Sequence, residues 1–292
     1  MKPASRWTPY LFIAPALLLF AFAVLLPFFG TLVASLFQWD GFHEAKFVGL
    51  RNYGRAFQDT IFLQSFGHVG MYIAATIVLE VVVGLILAGV VTARKGFSGY
   101  RIALFIPVLL PTVVISVLWR FIFNADFGLI KGFLDAIGRP EWNQVWLGDK
   151  RFALLAICFV SGWIYAGFYL AIFYAGLQRV PREITEAAAI DGAKNWKIFW
   201  KIKVPMIKRV WEVSLLICIT GGIQGFDLFF IMTNGGPYYA TEVPTTYMVR
   251  SVFRDGEVGF GSSLAVIVTT AVLIIGYVYS KIRTQNSGVV EY

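Results

Sequence analysis

The chain has 292 residues, of which 58% are hydrophobic, 17% aromatic and only 14% charged, against about 25% charged in a soluble domain. That balance excludes an ordinary cytosolic globule. A formal net charge of +8, from 25 Lys and Arg against 17 Asp and Glu, raises the question of a nucleic-acid partner, and the hydrophobicity argues against one.

Stretches without a charged residue run from Trp7 to Trp39, Thr60 to Leu79, Ile102 to Trp119, Phe152 to Gln178 and Val258 to Ser280. Each is near or beyond the roughly 18 apolar residues that mark a membrane span. In chain order, six helices account for the apolar segments: about Tyr10 to Leu36, Phe66 to Val91, Ile102 to Phe123, Phe152 to Tyr174, Val213 to Ile231 and Leu264 to Tyr279. Within lipid every backbone N–H and C=O must be paired inside its own segment, which selects helix. Barrel strands would alternate polar and apolar residues, and these segments do not. The expected fold is an all-α integral membrane protein of six transmembrane helices, with residues 1–292 forming a single transmembrane domain. Lys2 and Arg6 ahead of the first run give it the look of a signal peptide. It is far longer than an h-region of about 7 to 15 residues, so it reads as a retained first helix.

Orientation follows from the basic residues. With a cytoplasmic amino terminus, segments 1–9, 92–101, 175–212 and 280–292 lie inside and hold 15 of the 25 Lys and Arg. The positive-inside rule therefore places both termini in the cytoplasm. The basic excess is thus a topology signal and needs no nucleic acid. Trp7, Tyr10, Trp39, Tyr100, Trp119, Trp211 and Tyr279 stand near the span ends, where amphipathic rings favour the interface. Cys158 and Cys218 fall in apolar stretches and read as small buried hydrophobes. His43 and His68 are too isolated for a metal site.

Segment 175–212 carries the most information. Pro181 suits the first position of a short helix, acids stand near its start, and Gly192 can take the left-handed position that ends it. Asn195 can cap a second helix whose Trp196, Phe199 and Trp200 share one face, with Lys197 and Lys201 on another, until Pro205 stops it. A basic amphipathic helix can simply lie at the lipid interface. The small, smooth surface of Glu186-Ala187-Ala188-Ala189 fits that role poorly and suits the close approach of another protein.

The run Glu186-Ala187-Ala188, then Gly192, Ile202 and Val204-Pro205, closely resembles the EAA loop of the membrane subunits of binding-protein-dependent ABC importers. Val204 stands where that loop usually has leucine. Thr233-Asn234-Gly235-Gly236-Pro237, followed by Ala240-Thr241 and Tyr247-Met248, resembles the segment after span five in the carbohydrate branch of that family. So does the opening Pro9-Tyr10 to Pro15, with Gly49-Leu50-Arg51-Asn52-Tyr53 after the first span. The resemblance implies a type I importer permease fold, with a core about 65–282 and a cytoplasmic coupling loop over 175–212. It carries Glu186, Ala187, Ala188, Asp191 and Gly192 over as the surface that docks on an ATPase. No Gly-Lys pair occurs in the chain, so it lacks the phosphate-cradling loop of an ATPase. ATP and Mg are then expected on a partner, and none in this chain. The implied partners are a second permease subunit, two copies of an ATP-binding subunit, an extracytoplasmic sugar-binding protein and membrane lipid. The implied location is the bacterial plasma (inner) membrane.

Glu80 and Asp227 interrupt apolar spans. A charge at the bilayer centre costs about 2.5 to 3.5 kcal/mol on insertion scales, so each should face the bundle interior. For Glu80 the alternative is a structural bond to a neighbouring helix. Asp227 follows Gly221, Gly222, Gln224 and Gly225, where a loosened helix would expose backbone beside two side chains able to bond hydroxyls. Sugars are held by such planar polar groups and by aromatic rings. With the resemblance placing spans four and five at the transport cavity, Tyr165, Phe168, Gln224 and Asp227 are its candidate lining; for the aromatics, packing between helices is the alternative. The competing function is an ion-coupled secondary transporter using Glu80 or Asp227. A second rival, an intramembrane enzyme, would need a nucleophile and a base, and the two commonest hydrolase signals, His-Glu-x-x-His and Gly-x-Ser-x-Gly, do not occur.

Overall fold

A computed structural model describes residues 8–93 and 98–286; Trp7, Lys2, Arg6 and the basic residues Arg94 and Lys95 lie outside them. Among the described residues four helices are long and apolar enough to cross a bilayer, Tyr10–Ala34, Thr60–Thr92, Ala153–Leu177 and Val258–Lys281. Two compact units divide the chain: residues up to Thr60 with Met248–Thr270, and Ile61–Tyr247 with the residues from Ala271 onward.

Two expected spans are not continuous helices. The third is a pair, Gly99–Leu109 and Thr112–Ile122, bent by 95°. The cause is Pro111, whose ring pushes the preceding residue out of the α region and whose own ψ of 128° turns the chain. The fifth runs as Lys208–Ile223 and then Asp227–Met232, with Phe226 at φ −133° and ψ −57° between them. Glycines at 221, 222 and 225 lower the cost of leaving the helix there. The carbonyl of Gly225, which the break frees, accepts the hydroxyl of Thr245.

In the first unit the Tyr10–Ala34 helix leaves Leu11, Phe12, Leu18 and Phe22 at least 70% exposed, a surface that only lipid or another apolar partner can cover. Its end is tied down by the Gly49 to Tyr53 motif. The amide of Asn52 donates to the carbonyls of Ser35 and Phe37 at 2.8 and 2.9 Å, and the hydroxyls of Ser35 and Tyr53 lie 2.7 Å apart. A short antiparallel ribbon pairs Phe37 with Phe47 and Gln38 with Lys46. Beside it, an Arg55 guanidinium bonds Glu257 at 2.8 Å and lies 4.1 Å from the centre of the Phe260 ring. Two exposed ion pairs belong to the connecting loops. His43 holds the Asp40 carboxyl well below the usual range, while Asp40 raises the His43 imidazole. Hydrogen bonds from Arg151 bring Asp149 down to about 2.

In the second unit, Val81, Leu85 and Ala88 pack on Tyr169, Leu170, Phe173 and Leu177. The Thr60–Thr92 and Ala153–Leu177 helices approach so closely at Gly84 that a Cβ there would lie 2.6 Å from Tyr169 Cβ and 2.9 Å from the Leu170 nitrogen. Small residues serve this purpose between membrane helices, where packing rather than water drives association. Cys158 and Cys218 are free and buried. The Thr233 to Tyr247 segment also folds tightly. The Thr233 and Thr241 hydroxyls are 2.6 Å apart, Thr246 donates to Glu242 at 2.7 Å, His68 Nδ1 lies 2.8 Å from the Glu242 carbonyl, and the Gly236–Pro237 peptide is cis.

Segment 175–212 is helical for most of its length. The first helix is Arg182–Ile190, with Pro181 one position outside it as the N-cap. Gly192 adopts φ +81°. Around it the N–H of Ala193 reaches the Ala188 carbonyl at 2.9 Å and the N–H of Gly192 reaches Ala189 at 3.0 Å, the paired bonds of a Schellman cap. Asn195 does not cap the second helix: Lys194 is the N-cap, and no side chain bonds there. That helix runs on through a π turn over Phe199–Lys203 and Val204–Met206, and ends one residue past Pro205, as the proline leads one to expect. The irregular residue is the buried Ile207, at φ −99° and ψ 23°. The expected aromatic face also divides. Phe199 and Trp200 pack against the core, with the Phe199 ring where Gly89 has no side chain, while Trp196 stays 72% exposed.

Candidate functional site

A cavity of about 590 Å³ opens within the second unit, inside the roughly 300–1,000 Å³ range of small-molecule sites. Tyr165, Phe168, Gln224 and Asp227 all line it. Three local features put them there. The Ala153–Leu177 helix supplies Tyr165 and Phe168 within one turn. The break after Ile223 ends one helix at Gln224 and starts the next at Asp227. The bend at Pro111 brings in Thr112 at the start of the next helix.

Glu80 also lines this cavity, although it is only 5% exposed. It stands in a π-helical turn, Ile77–Val82, an irregularity frequent at functional sites. Ser161 donates to Glu80 Oε1 at 2.7 Å, and the Tyr72 hydroxyl is 2.7 Å from Ser161 Oγ. Because the Ser161 proton goes to Glu80, Tyr72 donates to Ser161. Glu80 thus makes the interhelical bond weighed from the sequence and faces the cavity as well. Sequence reading did not select Tyr72, Thr76, Thr112, Ser161 or Tyr169, the other hydroxyl-bearing residues of the lining. They carried no signal beyond being polar groups within apolar runs.

The cavity therefore presents aromatic rings, several hydroxyls, an amide and two carboxyls, the groups that bind a polyol. The coupling candidates lie apart from it. Glu186, Ala187, Asp191 and Gly192 are exposed and Ala188 is half-buried, and the Arg182–Ile190 helix has no buried residue. Ile190 is 86% exposed. The helix is capped, and among the described residues nothing buries it.

Residues 80–281 match the family of binding-protein-dependent transport system inner membrane components. The chain belongs to that family. The permease is 36% identical over 285 residues to the probable ABC transporter permease protein YurN of Bacillus subtilis, covering 96% of this chain and 97% of that one. It is 32% identical over 275 residues to the trehalose/maltose transport system permease protein MalF of Thermococcus litoralis, covering 94% and 92%. Against the diacetylchitobiose uptake system permease protein NgcF of Streptomyces coelicolor the identity is 30% over 293 residues, covering 95% and 82%. The permease also superposes on a chain of a bacterial ABC transporter that imports the acidic polysaccharide alginate, with a TM-score of 0.80 at 19% identity over 94% of this chain and 96% of that one. The same alginate transporter in complex with an alginate pentasaccharide-bound periplasmic protein gives 0.83 at 18% over 98% and 96%. These likenesses establish the fold as that of an ABC importer permease. The protein is a membrane permease subunit of the inner membrane and not an enzyme; ATP hydrolysis belongs to a separate chain.

Proposed function

We propose that this permease moves a sugar or oligosaccharide across the bacterial plasma membrane by alternating access. The observation that carries the reading is the composition of the 590 Å³ cavity, where Tyr165 and Phe168 stand with Gln224, Asp227 and Glu80. The names of its relatives, which include uptake systems for trehalose and maltose and for diacetylchitobiose, point the same way.

In this reading both termini are cytoplasmic, and residues 1–292 act as one transmembrane domain with its importer core over about 65–282. The Arg182–Ile190 helix and its Gly192 cap then face the cytosol as the docking element for one of two ATP-binding subunits, which hold ATP and Mg. Glu186 supplies an anionic anchor, Ala187 and Ala188 permit close seating, and Gly192 at φ +81° allows the sharp turn that returns the chain to the bundle beside Asp191. ATP binding can shift the bundle only through its different affinity for the two states. That difference reaches the cavity through a short route: Phe199 and Trp200 follow the docking helix and pack on the Val81 to Leu177 core. A second permease subunit completes the chamber, and a sugar-loaded extracytoplasmic binding protein docks on the outer segments around Phe37 to Ser65, Asn124 to Arg151 and Thr233 to Ser263.

The test is uptake by Glu186→Lys and Gly192→Pro variants in reconstituted importer. Both should insert and assemble, yet lose sugar uptake while ATP hydrolysis becomes independent of it. Normal uptake by both would refute the coupling role.

A further inference from the structure

The wall of the 590 Å³ cavity carries acidic groups and no basic ones. Asp227 and Glu80 line it, and no Lys, Arg or His stands among its lining residues. The chain as a whole holds 25 Lys and Arg and a formal net charge of +8, so their absence here is local. Neither carboxyl makes an ion pair among the described residues. Asp227 is exposed. Glu80 accepts a hydrogen bond from Ser161 and, ionised or protonated, adds no positive charge. Two helices begin at the wall, at Thr112 and at Asp227, and the free N–H groups of such ends favour anions. That effect is weak and falls off within one turn, so the full charge of the Asp227 carboxylate outweighs it.

This wall treats sugars of different charge differently. A phosphate or carboxylate that leaves water for the cavity loses its hydration and finds no cation to pair with, and a low-dielectric wall of its own sign repels it. A neutral sugar loses only the hydration of its hydroxyls, which Gln224, Asp227 and the wall hydroxyls replace, while Tyr165 and Phe168 offer their rings. An ammonium group on the sugar would be drawn to Asp227. An unpaired charge facing the wrong ligand is a common means of rejecting it. The fold does not impose this choice, since the alginate importer of the same fold moves an acidic polysaccharide.

We infer that Asp227, with Glu80 in the same wall, makes the cavity selective for neutral and amino sugars and closes it to sugar phosphates and uronates. The inference rests on the sugar reading above and narrows it. It assigns part of the selectivity to the permease itself, as a potential that any ligand in the cavity must meet.

The test reads the potential first, without any sugar. In the assembled importer, Gly221→Cys places a thiol at the cavity wall, where a Cβ meets nothing within 4 Å. It is treated with a cationic trimethylammonioethyl or an anionic sulfonatoethyl methanethiosulfonate, and the peptide that carries it is followed by mass. Relative to the same two reagents on a small free thiol, the cation should react at least about tenfold faster. Adding Asp227→Asn should remove most of that preference, and adding Asp227→Glu should keep it. Gln224→Cys, at an exposed position of the wall, gives the same readout if the first thiol is out of reach. The second arm is uptake by the complete importer with its binding protein in proteoliposomes. The probes are radiolabelled maltose, trehalose and diacetylchitobiose, with the 6-phosphate, uronate and 6-amino forms of the first two. The anionic forms should enter at least about tenfold more slowly than their neutral parents. The binding protein is common to all assays, so a rise in the anionic-to-neutral ratio on Asp227→Asn belongs to the permease. Equal reaction of the two reagents, or equal uptake of a sugar and its phosphate or uronate, overturns the selectivity and leaves the sugar reading intact. A wild-type importer that moves no sugar of either kind overturns that reading, whatever the reagents show.

Discussion

Ser161 donates a 2.7 Å hydrogen bond to Glu80 Oε1 across the interface between the Ala153–Leu177 helix and the π turn of its neighbour. This bond fixes a carboxyl at the wall of the central cavity and ties together two helices whose remaining contacts are largely apolar. Tyr72 extends the chain by donating to Ser161. Its geometry separates a structural from an ion-carrying role for Glu80. Glu80→Gln keeps an acceptor for Ser161 and should retain ATP-driven uptake within about threefold. Glu80→Ala leaves Ser161 unsatisfied, at a cost of about 1 to 3 kcal/mol, and should lower both the unfolding temperature and uptake. Complete loss of uptake in Glu80→Gln, measured in proteoliposomes, would show that the ionised carboxyl is required.

At Gly84 the neighbouring helix is too close for any side chain, with the Leu170 nitrogen 2.9 Å from the position of a Cβ. Backbone cannot rotate away as a side chain can. Gly84→Ala should therefore destabilise the bundle by about 1 to 3 kcal/mol, seen as a lower unfolding temperature of the purified complex. An unchanged temperature would mean that the two helices are further apart than described.

Gly221 offers the opposite case. It lines the central cavity, and nothing lies within 4 Å of a Cβ built there. Gly221→Leu should leave assembly intact while its side chain fills space needed by substrate. The expected result is a normal unfolding temperature with sugar uptake reduced at least about tenfold, the effect of losing about 1.4 kcal/mol of binding.

On the loop after the first span, Asp40 and His43 form an exposed ion pair that raises the His43 pKa above 6.5 and lowers that of Asp40. The sign follows from both shifts. Whatever the pair contributes to loop order is present when His43 is charged, fades as pH rises through its raised pKa, and fades again in strong acid as Asp40 protonates. Titration of the His43 ring by NMR should give a midpoint above 6.5, and Asp40→Asn should return it to about that value. An identical midpoint in both proteins would remove the pair from the loop.

Several of these features were legible in the residues alone, and the reasons are physical. Gly192 was legible because only a left-handed cap explains a glycine after a short acidic-started helix, and the chain there has φ +81°. The cavity side chains Gln224 and Asp227 were legible because polar groups within an apolar span must face inward. The break at Leu110–Pro111 was also within reach, since proline excludes the preceding residue from helix, yet the charge-free run from Ile102 to Trp119 reads as continuous if hydropathy alone is counted. Asn195 shows the opposite failure. It is a strong local signal, yet Lys194 takes the cap position and no side chain bonds there. Tyr72, Thr76 and Thr112 could not be selected, because which face a membrane helix presents to its neighbours depends on the arrangement of all of them.

The docking role of the Arg182–Ile190 helix is most directly tested at Ile190, which is 86% exposed at its end. A photoreactive benzoylphenylalanine is placed at that position in the assembled importer, and the adducts are identified by mass before and after adding ATP. Adducts with the ATPase subunit, in a yield that changes with ATP, are the expected result. Adducts with lipid alone, and none with the ATPase in either state, would contradict a coupling helix at this point in the chain.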